Sequence, residues 1–169
     1  MRSAFSDRKK KKELYFNVIE NICEAVKGLS LESTGALIVV EHTTRLSDII
    51  SSGITINADI NSALLRNLFF NKAPLHDGAM IIRNGRICAA SCFLPLTERA
   101  INQDLGTRHR AAIGMSESSD AVVVVVSEET GNISLVIDGN ITRDYNFQSL
   151  KQTLTGILTK HSDDRSVEQ

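Results

Sequence analysis

Hydrophobic positions recur along the chain in blocks that predict alternating helices and strands. Apolar side chains from Leu14 to Val26 fall at helical spacing, which predicts a first helix of about four turns that ends near Gly28. Residues 35–41 then form a nearly continuous apolar run, which is typical of a strand covered on both faces. A short helix over residues 45–51 is expected next.

The rest of the chain continues this alternation. A further helix is predicted to begin at a cap supplied by Asn57 or Asp59 and to stop at Pro74. The Asn84-Gly85 pair favours a type I′ turn, because both residues accept positive φ values, and therefore predicts a hairpin. The remaining predicted elements are hairpin strands over 79–82 and 86–94, a helix over 107–116, strands over 121–126 and 132–137, and a last helix over 146–160.

Length and composition fit a single folded unit. The 169 residues can bury a core without disulfides or metals, and 42% hydrophobic with 23% charged residues is a globular composition. No repeat, low-complexity tract or linker interrupts the pattern. We therefore expect one α/β domain, with a central mixed β-sheet flanked by helices, over residues 13–160, between a basic polar segment (1–12) and a polar tail (161–169).

The charge balance limits the classes of partner. Lys and Arg total 19 against 20 Asp and Glu, for a net charge of -1, which argues against a general nucleic-acid-binding protein. Residues 8–12 are nevertheless five consecutive cations. They are either a solvated lead-in to the first helix or a juxtamembrane segment, attracted to anionic lipid, whose membrane anchor lies upstream.

Targeting signals and cysteines point to the cytoplasm. The chain as given has no apolar run long enough to cross a bilayer and no signal-peptide core, so we expect a cytoplasmic domain, in the native protein either free or anchored with this domain facing the cytoplasm. Its three cysteines show neither disulfide nor zinc-ligand spacing and read as small thiols in a reducing compartment.

Three segments depart from ordinary patterning, and the first is the start of the helix over 107–116. Thr107 is a reasonable cap, yet the first turn carries Arg108, His109 and Arg110. Cations are unfavourable there, because a helix N-terminus already bears a partial positive charge. A bound phosphate would satisfy them together. Alternatively, the arginines extend into water or pair with carboxylates such as Glu117.

The second segment, His76-Asp77-Gly78, lies just before the hairpin. Asp-Gly alone indicates a turn and nothing more. At a strand mouth, however, Gly78 lets the backbone approach a ligand closely, and the Asp77 carboxylate could orient or deprotonate a sugar hydroxyl or help hold a divalent metal.

The third segment, Ser127-Glu128-Glu129, follows the strand over 121–126. In sheets with parallel strands, ligands gather beyond the carboxyl ends of the strands, so these carboxylates are candidate metal ligands. A charged turn at a strand end is the alternative. Walker A, GxGxxG and GxSxG sequences are absent, which excludes the familiar phosphate-binding and hydrolase loops.

Together these segments make the chain strongly resemble the diadenylate cyclase (DAC) domain of bacteria, closest to the membrane-type branch with its transmembrane part absent. The resemblance covers about residues 35–137. It is carried by three motifs in family order: PLHDGA (Pro74–Ala79), LGTRHRAA (Leu105–Ala112) and VSEETG (Val126–Gly131).

The resemblance implies an activity and its requirements. Two ATP molecules would condense into 3′,5′-linked cyclic di-AMP with release of two pyrophosphates, at a face-to-face homodimer of domains. It also implies a divalent metal. Mn²⁺ and Mg²⁺ are the main candidates, and Co²⁺ is a further one. No nucleic acid partner is implied, whereas a membrane anchor upstream or a regulatory protein partner is.

Site residues carry over by position in the three motifs. The resemblance makes Asp77, Arg108 and His109 catalytic, and His76, Asp77 and Glu129 metal ligands. Leu94 would read the adenine edge through its backbone, and Phe93 stands where membrane-type members often place a Tyr. The substrate-binding residues it implies are Gly78, Ala79, Phe93, Leu94, Gly106, Thr107, Arg108, His109, Arg110 and Ser127.

Two other functions remain open at this point. A single domain is half of such a reaction centre, so the chain could be a non-catalytic module that binds ATP or a cyclic dinucleotide. A metal-dependent phosphohydrolase could use the same His, Asp and Glu residues.

Overall fold

The structure, a computed structural model, describes residues 2–164. Its elements in chain order are α1 (Arg2–Leu31), β1 (Ala36–Val40), α2 (Ser47–Ser51), β2 (Ile54–Asp59), α3 (Ser62–Leu68), β3 (Ala79–Arg83), β4 (Arg86–Cys92), α4 (Thr107–Glu117), β5 (Val122–Val126), β6 (Ile133–Ile137), β7 (Asn140–Tyr145) and α5 (Phe147–Asp164). The last five residues of the predicted polar tail lie outside the described residues, and its first four continue α5.

All seven strands join one sheet in the order β2-β4-β3-β1-β5-β6-β7. Strands β1 and β3 pair in parallel, and every other neighbouring pair is antiparallel. The predicted fold class, an α/β domain with a mixed sheet flanked by helices, is confirmed.

Two hydrophobic cores cover the two faces of the sheet. Ile38 and Val40 point into the core shared with α1, α3 and α5. Leu37 and Val39, at the alternate positions of the same strand, point into the core that includes Ala112 and Ile113 of α4. Every residue of β1 is buried, which confirms that this strand is covered on both faces.

The first helix is longer than predicted at both ends. It starts at Arg2, so the basic run 8–12 is helical, because Lys and Arg are good helix formers and no Gly or Pro interrupts them. It also continues through Gly28 to Leu31. A side chain at Gly28 would collide with the Arg66 guanidinium, so this glycine serves close packing instead of ending the helix.

The sequence did not predict two of the strands, β2 and β7. Asn57 and Asp59 lie inside β2 and do not cap a helix. The cap of α3 is Asn61, whose side chain accepts hydrogen bonds from the backbone N–H groups of Ala63 and Leu64. Both β2 and β7 are polar edge strands whose pairing depends on distant neighbours, so local hydrophobic periodicity does not reveal them.

The β3–β4 hairpin follows its turn residues as predicted. Asn84 and Gly85 both have positive φ, 50° and 72°. No helix within residues 2–164 is both long enough and apolar enough to span a membrane.

Candidate functional site

The three unusual segments meet at one edge of the sheet. Because β1 pairs in parallel with β3 and antiparallel with β5, this edge collects the amino ends of β1 and β3 and the carboxyl ends of β4 and β5. The site was expected beyond the carboxyl ends of parallel strands. The parallel pair here instead presents its amino ends, so antiparallel pairing brings Ser127 to the site.

A cleft of about 420 Å³ opens at this edge, within the size range of small-molecule sites. A smaller cavity of about 90 Å³ adjoins it, and Thr107, Arg108 and Glu128 line both. Of the other predicted residues, those that line the cleft are His76, Asp77, Gly78, Phe93 and Leu94. Those that line the small cavity are Gly106, His109, Ser127 and Glu129.

Two predicted residues line neither space. Ala79 is fully buried in the core and is not exposed to the cleft. Arg110 is exposed, and its carbonyl oxygen accepts a hydrogen bond from Thr97 N–H at 3.1 Å. This contact uses the backbone of Arg110, and substrate binding by its side chain stays a prediction.

His76 and Asp77 form a pair at the cleft. His76 Nδ1 lies 2.8 Å from the carbonyl oxygen of Ala73, which can only accept, so this nitrogen carries a proton. His76 Nε2 lies 3.2 Å from Asp77 Oδ1. In the neutral imidazole this nitrogen presents a lone pair to a carboxylate, so a shared proton or a bound cation is needed to make the contact favourable.

This donor set fits a divalent cation. An imidazole nitrogen with its other nitrogen anchored to a carbonyl is the usual arrangement of a metal-ligating His, and the Asp77 carboxylate is 82% exposed. No group of three or more His, Cys, Asp or Glu side chains in the described part of the chain is arranged to hold a metal. His76 and Asp77 would therefore share an ion with ligand atoms from elsewhere, such as phosphate oxygens.

Gly78 follows this pair in a conformation that favours glycine, with φ +88°. A Cβ there would lie 2.8 Å from the carbonyl oxygen of Cys92 and 2.9 Å from the carbonyl carbon of Ser91. The start of β3 therefore packs directly on the end of β4. The close approach seen at Gly78 is to the β4 backbone, and close approach to a ligand stays a prediction.

The amino end of α4 faces the same space without a side-chain cap. Gly106 occupies the N-cap position, so the prediction of Thr107 as cap is wrong by one residue. Glycine has no side chain to bond the first-turn N–H groups, which a helix always leaves without internal partners. The residues that carry these donors line the small cavity, and free N–H groups at a helix start suit an anion.

Arg108 is held by a different acid from the one considered at first. Its Nη1 lies 3.2 Å from Glu128 Oε2, whereas Glu117 pairs with Arg99. Gly35 provides the space for it, because a Cβ there would lie 2.5 Å from the Arg108 guanidinium carbon. The Glu128 carboxylate is thus a counter-ion of this arginine, and both side chains line the cleft.

His109 is 5% exposed and borders the small cavity. Burial lowers the pKa of its imidazole, and the positive charges of Arg143 and Arg108 lower it further. The side chain is therefore neutral at neutral pH and offers one N–H donor. An incoming phosphate would reverse part of this effect, because an anion favours the charged imidazole.

The Ser127 hydroxyl is poised to donate a hydrogen bond. Its oxygen accepts from the N–H groups of Glu129 and Thr130, each at 3.3 Å. The hydroxyl hydrogen is not used in these contacts, and the side chain borders the small cavity. A phosphate oxygen there would accept it.

An exposed aromatic ring stands at the cleft rim. The Phe93 side chain is 74% exposed, and its backbone N–H donates to the Ser52 hydroxyl at 3.0 Å. Leu96, 54% exposed, lies in the same lining. Exposed apolar side chains at a cleft are typical of a surface that a ligand or another protein covers.

Sequence reasoning missed three contributors. Glu128 was considered only as one of two strand-end acids, yet it is the one that contacts Arg108. Gly35 had no signal, because its importance is the space it leaves for a side chain distant in sequence. Ser52, which fixes the Phe93 backbone, likewise shows itself only through the fold.

The cleft contains one thiol, and that thiol is a poor nucleophile. Burial, with a smaller contribution from Cys88, raises the pKa of Cys92 to about 11. Covalent catalysis by this side chain is therefore disfavoured.

Comparison with known proteins assigns the chain that carries this site to a family. Residues 23–141 match the DAC family, described as "DisA bacterial checkpoint controller nucleotide-binding". The chain belongs to the DAC family. All three motif segments of this DAC domain lie inside the matched range, so the resemblance seen in the sequence is confirmed.

Individual relatives agree with this assignment. Cyclic di-AMP synthase CdaA of Bacillus subtilis is 43% identical over 149 residues, covering 88% of this DAC chain and 55% of that protein. A diadenylate cyclase of Listeria monocytogenes is 44% identical over 139 residues, covering 82% and 51%. The chain thus spans about half the length of these curated relatives.

Solved structures show the same fold. The crystal structure of DacA from Staphylococcus aureus matches this DAC domain with a TM-score of 0.81 and 44% identity, covering 83% of this chain and 95% of that one.

Proposed function

We propose that this DAC domain is a diadenylate cyclase that condenses two ATP molecules into cyclic di-AMP and releases two pyrophosphates. One observation carries the proposal. The Asp77 carboxylate and the cationic amino end of α4, with Arg108, line the same cleft. A hydroxyl-orienting acid and a phosphate site on one small cleft are what nucleotidyl transfer needs.

The reaction would proceed by in-line displacement. The 3′-hydroxyl oxygen of one ATP forms a bond to the α-phosphorus of the other, and the bond from that phosphorus to the oxygen bridging to the β-phosphate breaks. Pyrophosphate leaves with the electron pair, and the hydroxyl proton passes to a nearby base or water. Asp77 would orient the hydroxyl and accept this proton, and its exposure at the cleft supports this role.

Phosphate binding falls to the other side of the site. Arg108 would exchange its contact with Glu128 for triphosphate oxygens and spread positive charge over the displaced phosphates. Neutral His109, the Ser127 hydroxyl and the first-turn N–H groups of α4 add donors around the small cavity. These donors are fixed by the fold before substrate arrives, which is the basis of their contribution to rate.

His76 and Asp77 would hold the divalent metal together with phosphate oxygens. A bound cation at this position supplies charge neutralisation of the phosphate and acidification of the hydroxyl. One nitrogen and one carboxylate donor suit Mn²⁺ or Co²⁺ better than Mg²⁺, which prefers oxygen ligands alone. Glu129, the third predicted ligand, lies on the small cavity, and within the described residues it forms no three-ligand group with His76 and Asp77.

A cyclic product with two equivalent linkages calls for two copies of the domain. One cleft would hold one ATP, which supplies one attacking hydroxyl and one α-phosphate, so two clefts facing each other would let each ATP attack the other. The exposed rim residues Phe93 and Leu96 support this arrangement, because adenine or a second copy would cover them. Phe93 would stack on adenine, and the Leu94 backbone would read its edge.

We place this domain in the cytoplasm, where ATP is available and its three free thiols stay reduced. The relatives are about twice as long as the part that this chain matches. We propose that a membrane anchor or a segment that binds a regulatory partner accompanies the domain in a longer protein.

A metal series with product identification tests the proposal. The purified protein is incubated with ATP and Mn²⁺, Co²⁺ or Mg²⁺, and the nucleotides are separated and identified by mass. We expect cyclic di-AMP, with more turnover in Mn²⁺ or Co²⁺ than in Mg²⁺. ADP with free phosphate would identify a phosphohydrolase instead, and tight ATP binding without product in any metal would identify a binding module.

A further inference from the structure

The amino-terminal part of α1 presents cations and aromatic rings to solvent on one side. Residues 3–13 are all exposed, a helical extension of about 16 Å. Within α1, positions 5, 9, 12 and 16 recur at intervals of four, three and four, so Phe5, Lys9, Lys12 and Phe16 share one face, with Arg8 beside them. We call these five residues the basic-aromatic face.

The two rings of this face are open. The Phe5 side chain is 81% exposed and that of Phe16 62%. Lys151 of α5, which also pairs with Glu20, lies 5.7 Å from the Phe16 ring centroid and adds a cation on the same side. Exposed Phe beside Lys and Arg is the composition of helices that lie in a membrane interface, where rings enter the headgroup region and cations meet lipid phosphates.

The other side of the helix differs. Lys10 and Lys11 lie away from the basic-aromatic face, on the side that also carries Asp7 and Leu14. Leu14 packs on the β3–β4 turn, where a Cβ at Gly85 would meet its side chain. On this side, Leu14 makes the contact of the helix with the domain.

The direction of α1 places the basic-aromatic face far from the cleft. Near its amino end, Leu14 contacts the β3–β4 turn, at the edge of the sheet opposite the site. Near its carboxyl end, the Ser30 hydroxyl donates to the carbonyl oxygen of Gly131 at 2.6 Å, just after the site turn that contains Ser127. The helix thus spans the sheet from one edge to the other.

We propose that the basic-aromatic face docks on an anionic phospholipid surface. Charge complementarity and the two exposed rings together select this occupant, because cations meet lipid phosphates while aromatic rings enter the headgroup region. Docked in this way, the domain turns its nucleotide cleft away from the bilayer, where ATP and a second copy can reach it. The proposal does not depend on the activity of the cleft.

Vesicle co-sedimentation of the full chain tests it. The probes are vesicles of mixed phosphatidylglycerol and phosphatidylcholine, and vesicles of phosphatidylcholine alone. We expect binding to the anionic vesicles only, weakened by salt. Because each cation near such a surface contributes about 1 kcal/mol, Lys9→Gln with Lys12→Gln should lower the partition constant roughly 10- to 30-fold.

A matched pair separates a specific face from net charge. Lys10→Gln with Lys11→Gln removes the same charge from the other side of the helix and should lower binding several-fold less. Equal losses for the two pairs, or no binding of the unmodified protein to anionic vesicles at low salt, would overturn the proposal. So would tighter binding to single-stranded RNA than to anionic vesicles at the same salt.

Fluorescence locates the contact. The chain has no Trp, so Phe5→Trp introduces a single reporter, and Leu31→Trp does the same at the exposed far end of α1, where Leu31 is 80% exposed. Emission from position 5 should shift to shorter wavelength on anionic vesicles, whereas emission from position 31 should not. Equal shifts at both positions, or a shift at position 31 alone, would contradict docking through this face.

Discussion

Arg108 and Glu128 form an ion pair across the cleft before any nucleotide is present. The arginine is therefore already positioned, but a triphosphate must displace the carboxylate to use it. At the same scale, Asp77 is held near His76 and stays open to solvent. Under the proposed function, Arg108 would bind phosphate and Asp77 would contact a hydroxyl or a metal, and each role can be tested alone.

Replacing Asp77 with Asn should lower turnover at least about 100-fold, because the amide neither accepts the hydroxyl proton nor neutralises a metal. ATP binding through α4 should persist. Turnover and nucleotide affinity are measured in parallel, with Asp48→Asn, an exposed carboxylate on α2, as the matched control. Full activity of Asp77→Asn would contradict the assigned role.

Replacing Glu128 with Gln should lower the KM for ATP about two- to five-fold, since it removes the anion that competes with phosphate for a partly exposed arginine. Steady-state kinetics give the comparison, and kcat should change little. Glu117→Gln, which breaks the contact with Arg99 instead, should leave both constants unchanged. A large fall in kcat for Glu128→Gln would instead make this acid part of the chemistry.

At the scale of elements, the sequence predicted those helices, strands and turns that interactions between neighbouring residues determine. The Asn84-Gly85 turn and the buried strand β1 were readable, because turn geometry and burial on two faces leave direct traces in the sequence. Strands β2 and β7 were not, because polar edge strands are selected by their partners. The amino-end arrangement of the site was also hidden, since the sequence does not reveal which strands pair in parallel.

A loop contact beside β1 and β5 makes a prediction about pH. Asp120 accepts hydrogen bonds from the N–H groups of Thr43 and Thr44 and contacts His42. Burial alone raises the pKa of its carboxyl, but these hydrogen bonds outweigh it and bring the pKa well below the ordinary value of 3.8. The carboxylate thus stabilises the fold above about pH 4, and this contribution is lost as pH falls further.

Asp120→Asn should therefore lower the free energy of unfolding at neutral pH by about 1 kcal/mol, a modest figure because water screens a side chain that is 40% exposed. Denaturant unfolding between about pH 7 and about pH 3 measures it, and the gap between variant and unmodified protein should narrow toward the acid end. A gap that stays constant would mean that the carboxylate charge is not its source.

At the scale of the whole molecule, the described chain forms one such cleft, and the proposed reaction needs two. The three motifs predicted which residues gather there, and the fold places all of them except Ala79 and Arg110 on the cleft or the adjoining cavity. The match over residues 23–141 supports nucleotide binding for this unit. One chain would hold one ATP, and the proposed reaction needs a second ATP that faces it.

Specific activity should therefore rise with protein concentration wherever the domain is mostly monomeric, because pairing follows mass action. Initial rates and sizing over the same dilution series test this. A flat specific activity, at concentrations where sizing finds only monomer, would contradict catalysis by two facing copies.

The most direct measurement of the central claim is the balance of products. With Mn²⁺ present, ATP consumed, cyclic di-AMP formed and pyrophosphate released are quantified in the same reaction. The account predicts one cyclic di-AMP and two pyrophosphates for every two ATP molecules. Release of ADP and free phosphate, or a folded protein that binds ATP and yields no cyclic dinucleotide, would contradict it.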